Sequence, residues 1–216
     1  VLEGTSNVTI NGGTSSVVYG GGNQALVTNS NVYVKGGNTD NVYGGGNQSG
    51  AETTNIVISG GTTKTIYGGS NQDGTVNKTA ITAKDGTVTD IFGGNDEGGT
   101  CPETNIEQNG TIVEDAIYGG GNQVATENTN INLNKTQSTI PNVFGGGKSA
   151  DATTTNILVK GGDYTNIFGG SNTSGTVTTS NITAEEGNIK NIFGGNNEGG
   201  ETVTSYVTIN GGNIEN

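Results

Sequence analysis

The 216-residue chain contains no Arg, His, Trp or Met, one Cys and 2 Pro. Without Arg and His it lacks the usual bidentate anion clamp, the commonest general base and the commonest metal ligand. A lone cysteine, Cys101, excludes an intrachain disulfide. Only 8 Lys face 20 acidic residues, giving a net charge of −12 and a pI near 4.1. The clustered basic surface that nucleic-acid phosphate demands is therefore missing, and no nucleic-acid partner is expected. Scarce proline and glycines without a period of three exclude collagen. No apolar run approaches the length of a membrane span, and no charged-then-apolar leader pattern opens the sequence. Leu, Ile, Val and Phe number 44 of 216, which with this net charge sits on the border of disorder.

The order of the residues overturns that reading. A Val or Ile, an aromatic and two glycines recur eight times, with the aromatics at Tyr19, Tyr43, Tyr67, Phe92, Tyr118, Phe144, Phe168 and Phe193. Their spacings are 24, 24, 25, 26, 26, 24 and 25. Between them lie short segments such as Asn55–Ser59 and Asn156–Lys160, apolar at the second and fourth places and mostly polar at the third and fifth. A period of two marks strands with one buried face. Gln108 interrupts the inner column. A weaker column of small residues, Val27, Ala51, Val76, Cys101, Ala125, Ala152, Val177 and Val203, follows the glycine turns. Cys101 thus reads as a buried, inert thiol. Helical spacing is absent, and Gly, Thr and Asn at this density oppose helix.

Two or three strands per 24–26 residues describe a coil of a solenoid, whereas a propeller blade needs four strands and roughly 40 residues. The expected fold is all-β: residues 1–216 form a single parallel β-solenoid domain of about eight coils. Stacking at about 4.8 Å makes a rod of roughly 38 Å. The crossover preference favours a right-handed coil. The residue after each glycine pair runs Gly22, Gly46, Ser70, Asn95, then Gly121, Gly147, Ser171, Asn196, so the coils group as two four-coil units. Asparagines precede the strands (Asn7, Asn31, Asn55, Asn105, Asn130, Asn156, Asn181, with Ala80 and Tyr206 replacing them) and follow the glycines (Asn23, Asn47, Asn71, Asn122, Asn172). Both columns read as amide ladders at turns.

Candidate chemistry is thin. Gly145–Ser149 ends like a phosphate-binding loop, but Asn142 stands where the motif needs its first glycine, and a strand pattern follows. The acidic glycine turn at Asp96 and Glu97, echoed by Glu198, supplies the calcium candidates. Calcium needs six or more oxygens, and no other cofactor is expected. Glu114-Asp115 and Glu185-Glu186 are neighbouring carboxylates, but adjacent strand residues face opposite ways, which opposes a glycosidase pair. The eight aromatics pack either as stacked rings closing one end of the core or, if exposed, as a ladder for sugar rings. A regular Thr surface for ice is not formed: the outward column reads Thr9, Tyr33, Val57, Thr82, Glu107, Asn132, Leu158, Thr183, Thr208.

The pattern Ile-Tyr/Phe-Gly-Gly-Gly-Asn-Gln with Asn-Ile-x-Ile strands resembles the solenoid repeats of large bacterial cell-surface and adhesin-like proteins, over essentially the whole chain. That resemblance implies a secreted or surface-displayed bacterial protein acting as stalk or adhesive. The expectation is a non-enzymatic structural rod, able to form filaments. The alternative is a ligand-binding solenoid for glycan or ice that uses an exposed aromatic or Thr column. Strand-and-turn patterns at both ends predict a segment of a longer array, whose partners are further coils or copies of itself, and cell-surface glycans.

Overall fold

The computed structural model describes residues 4–215. Fourteen strands form one sheet with no helix among the described residues. Coil 1 carries β1 (Thr5–Ile10) and β2 (Thr14–Tyr19), and coil 2 carries β3 (Val27–Val34) and β4 (Asn38–Tyr43). Coils 3 and 4 each run as one bent strand, β5 (Ala51–Tyr67) and β6 (Val76–Phe92). Coil 5 is β7 (Glu103–Asn109) with β8 (Ile112–Tyr118), and coil 6 is β9 (Thr126–Lys135) with β10 (Ile140–Phe144). Coils 7 and 8 are again single strands, β11 (Ala152–Phe168) and β12 (Thr176–Phe193). A further coil begins with β13 (Glu201–Ile209) and β14 (Asn213–Ile214).

Every strand pairing is parallel and joins one coil to the next. The architecture is a parallel β-solenoid of about eight turns, as the repeat predicts. The outward column from Thr9 to Thr208 pairs position by position, for example Val57 with Thr82 and Leu158 with Thr183. Its irregularity therefore belongs to the folded surface itself. The inner face forms one continuous apolar cluster from Val32 to Ile189, with Ile56, Ile66, Ile117 and Ile157 at most 2% exposed. Each coil contributes only a thin stripe, and stacking fuses the stripes into a core. This is how a chain so poor in apolar residues can fold.

The four-coil period has a structural cause. In coils 1, 2, 5 and 6 the next strand's buried residue comes eight positions after the aromatic, as in Tyr43 to Ala51. In coils 3, 4, 7 and 8 it comes nine positions after, as in Tyr67 to Val76. The coils with the longer turn are those bearing Ser or Asn after the glycine pair. Asn95 is fully buried; its carbonyl accepts the Ser70 N–H, and its amide donates to the carbonyls of Gly74 and Gly98. Asn196 repeats these bonds with Ser171, Gly175 and Gly199. A side-chain amide thus fills the larger turn and pairs its backbone groups, which would otherwise be buried without partners.

This rule corrects the small-residue column. Ala152 pairs with Thr126 and Val177 with Thr202, so the fifth and eighth members are Thr126 and Thr202, not Ala125 and Val203. Ala125 is exposed and Val203 is 59% exposed, whereas Thr126 is 3% exposed. A slip of one residue exchanges the faces of a strand.

A buried Thr column, not evident in the sequence, locks the glycine corners. Thr54, Thr79, Thr104, Thr129 and Thr155 are at most 2% exposed, and each hydroxyl donates to the carbonyl of the first glycine that closes its own coil (Gly68, Gly93, Gly119, Gly145, Gly169) at 2.6–2.7 Å. Ser180 does the same to Gly194. The first glycine of each pair sits against this contact. A Cβ on Gly44, Gly68, Gly93 or Gly119 would lie 2.1–2.2 Å from the carbonyl oxygen of the next coil's glycine. Only a residue without a side chain fits there.

Candidate functional site

The eight aromatics, the candidate ladder for sugar rings, stack on one another, and the structure buries six of them. Adjacent rings stack with centroids 4.4–5.1 Å apart and interplanar angles of 5–15°. Tyr43, Tyr67, Phe92, Tyr118, Phe144 and Phe168 are 2–8% exposed; Tyr19 is half-buried, and Phe193 is 45% exposed. A sugar ring needs an aromatic face, and both faces of the six inner rings are occupied by neighbouring rings. Nor do the rings close one end of the main core. They form a second cluster separate from that of Ile66 and its equivalents, as the opposite directions of adjacent strand residues require.

The ring hydroxyls reach the asparagine column of the glycine turns. Tyr19 donates to the Asn47 carbonyl and accepts from the Asn71 amide, and Tyr118 accepts from the Asn172 amide. Asn47 donates in turn to Asn23, and Asn71 to Asn47. Asp96 occupies this column in coil 4. It is 8% exposed, with one carboxylate oxygen accepting from the Tyr43 hydroxyl at 2.9 Å and the other from the Asn122 amide at 2.8 Å. Burial, reinforced by the Asp96 bond and charge, holds the Tyr43 hydroxyl far above the ordinary phenol range. Burial likewise raises Tyr118 to about 12, so these rings stay neutral at physiological pH.

The calcium candidates are not brought together. Both oxygens of Asp96 are committed to protein donors, while Glu97 and Glu198 are exposed and four coils apart. Among the described residues no cluster of three or more His, Cys, Asp or Glu has metal-binding geometry. Glu114 accepts a hydrogen bond from Thr89 on the surface, and Glu185 and Glu186 are exposed. Lys148 is exposed at the turn position equivalent to Asn122, and its segment continues the coil-to-coil backbone ladder without a helix. Cys101 is 1% exposed, and burial pushes its thiol up to about 12, against a smaller opposing contribution from Thr79. It is not a thiolate nucleophile at neutral pH.

A third amide column is likewise visible only in the folded chain. Two positions before the aromatic, Asn166 donates to Asn142 and Asn191 to Asn166. In coil 4 this position is Asp90, paired in register with Thr65 and Ala116. One of its oxygens is buried without a hydrogen-bond partner. Burial raises its carboxyl to about 6, the Asp115 charge adds to this, and Lys148 and the Ala116 N–H oppose it. Tyr67 and Tyr118, whose hydroxyls feel its charge, also face it. The folded state therefore holds this proton to higher pH than the unfolded chain, and stability declines as pH rises from about 4 to about 6. Asp90→Asn removes the buried charge while keeping the size of the side chain. It is expected to stabilise the protein by about 1 to 2 kcal/mol at pH 7, after discounting for partial exposure, and by almost nothing at pH 3.5. Chemical denaturation at the two pH values measures the difference.

The surface does have a groove, at the small-residue column. Cys101, Thr126 and Ala152 form its buried floor. Thr100, Thr153, Thr176 and Thr178 bring hydroxyls to its edges, and Glu127 and Asp151 bring carboxylates. Its volume is about 430 Å³, and it crosses coil after coil parallel to the solenoid axis. A shorter groove of about 270 Å³ over Val27 and Ala51 continues the same line. Neither is lined by a lysine. No protein family, curated protein or solved structure matches this chain.

Proposed function

We propose that this chain is a non-enzymatic structural or adhesive rod segment of a secreted or surface-displayed bacterial protein. The observation that carries the reading is the coil-on-coil stacking along the axis. Parallel strand ladders and eight successive rings run from coil to coil, and amide ladders join many of the same coils. Such a body resists bending and holds its ends at a fixed separation. The side chains spent on it are Asn, Thr and Gly, which are suited to stacking and turns rather than to proton transfer. The resemblance of the repeats to those of bacterial surface proteins supports the location.

The same stacking makes stability depend on the number of coils. The outermost coil leaves Phe193, Val203, Tyr206, Val207 and Ile209 43–59% exposed, which is where a further coil, from the same polypeptide or a second copy, would pair. Duplicating residues 101–201, one four-coil unit, within the 216-residue chain is expected to raise the melting temperature by several degrees. Scattering should show the longest dimension growing by about 19 Å. A longer chain that melts no later and grows no longer would refute the rod.

A further inference from the structure

We propose that Tyr43 is a redox-active tyrosine, which gives an electron to a one-electron oxidant at the surface while its phenolic proton passes to Asp96. The oxidant is a strong one-electron acceptor, either an oxygen-centred radical or a high-potential metal complex. The inference adds an activity to the rod reading, which stands or falls separately by coil duplication.

Three observations converge on it. The first is what the chain offers an oxidant. It contains no Trp, Met or His. Its one thiol, Cys101, is 1% exposed and kept protonated by burial, and the protonated form is the inert one. One-electron oxidation therefore falls on the seven tyrosines.

The second is a proton acceptor already in place. Losing an electron makes a phenol strongly acidic, so a tyrosine is oxidised readily where a positioned base takes its proton. Tyr43 is 4% exposed and donates to one Asp96 oxygen at 2.9 Å. Asp96 is itself 8% exposed, and its other oxygen is fixed by the Asn122 amide. The hydroxyls of Tyr19 and Tyr164 donate instead to the Asn47 side-chain carbonyl and the Gly161 carbonyl, which are far weaker bases than a carboxylate. In the step, the O–H bond of Tyr43 breaks and a new O–H bond forms on Asp96. The electron reduces the oxidant, leaving a neutral tyrosyl radical beside a neutral carboxylic acid. The buried pair thus loses its charge, a favourable change away from water.

The third is a path. Tyr43 is stacked between Tyr19 and Tyr67, with centroids 5.1 and 4.8 Å away. Tyr19 is half-buried and links the closed pair to an oxidant too large to enter. Tyr67, on the far side, faces the same carboxylate. Phe92 comes next and has no phenolic proton to give, so the run of three phenols ends there.

Flash oxidation of the whole 216-residue chain by photogenerated tris(bipyridine)ruthenium(III) tests the inference, read by tyrosyl absorbance and electron paramagnetic resonance. The native chain is expected to give a long-lived tyrosyl radical. The Tyr33→Phe, Tyr206→Phe double variant, which removes two tyrosines outside the stack, should give the same signal. Asp96→Asn places in the turn the residue already present at Asn71 and Asn122, and Tyr43→Phe places in the stack the residue already present at Phe92 and Phe144. Circular dichroism should therefore show both variants folded. Asp96→Asn should slow radical formation by about a hundredfold, and Tyr43→Phe by as much, while Tyr67→Phe stays near the native rate. Raising the concentration of buffer base should leave the native rate unchanged, because the fold carries the acceptor. The inference is overturned if the signal is lost in the double variant, or if the folded Asp96→Asn or Tyr43→Phe chain reacts at the native rate. A native rate that follows the buffer concentration, or a larger loss in Tyr67→Phe than in Tyr43→Phe, overturns it equally.

Discussion

Gly93→Ala is expected to destroy the contact between coils 4 and 5 and to destabilise the protein by about 3 kcal/mol or more. The added methyl would lie 2.1 Å from the Gly119 carbonyl oxygen and 2.9 Å from the Thr104 Cβ. Neither neighbour can withdraw. The carbonyl accepts the Thr104 hydroxyl, and the Gly93 N–H donates to the Tyr118 carbonyl, so relieving the clash breaks the ladder on both sides. In a stacked repeat the loss falls mainly on one nearest-neighbour interface. Thermal unfolding followed by circular dichroism should then show a lowered, broadened transition in which the two halves of the solenoid no longer melt together. Gly12→Ala is the control. No atom lies within 4 Å of the position its Cβ would occupy, and it should unfold within about 0.5 kcal/mol of the native chain. Equal stability of the two variants would remove the close-packed glycine corner as a determinant of this fold.

Ile157→Asp is expected to cost about 4 kcal/mol or more at pH 7. Ile157 is 2% exposed and is paired in register between Ile131 and Ile182, so the new carboxylate would enter a continuous apolar stripe. No Lys belongs to that core cluster to neutralise it. Protonating the carboxylate relieves most of the penalty, so the folded-state pKa of the introduced Asp should stand well above 4, and the variant should be least impaired in acid. Urea denaturation at pH 7 and pH 4 measures both values. Leu158→Asp, one residue along on the outward column, should be almost neutral, because that face meets water. A similar loss in both would mean that the strand's two faces are not distinguished as the structure shows.

How far the sequence determines the protein differs from column to column. The recurrence of Val/Ile-aromatic-Gly-Gly every 24–26 residues reveals coils, because a hydrogen-bonded stack tolerates little change in the length of a turn. The alternation in segments such as Asn156–Lys160 identifies the inner face, since strand side chains have a fixed period of two. Gly22 through Asn196 reveal the four-coil unit because the larger turns carry Ser or Asn in place of Gly, and those side chains bond the turn backbone. The asparagine ladders are legible for the same local reason.

Other features depend on distances between coils that no single repeat contains. Placing Thr126 rather than Ala125 in the buried column requires knowing that the turn is one residue shorter in coil 5 than in coil 4. The Thr54–Thr155 column is present in the sequence, but threonine is common throughout, and its meaning appears only when each hydroxyl meets a glycine carbonyl 14–16 residues onward. Strand alternation puts Tyr67 opposite Ile66 but does not fix whether the ring is covered. The glycine turn folding over the rings, with Asp96 and the asparagines binding their hydroxyls, is what buries them. Asp90 reads as an ordinary surface acid until Asp115 and the neighbouring rings are packed around it. Length, period and alternation are properties of the chain alone, and they determined the coil. Burial, shared bonds and the groove are properties of neighbouring coils in contact, and only the stacked structure decided them.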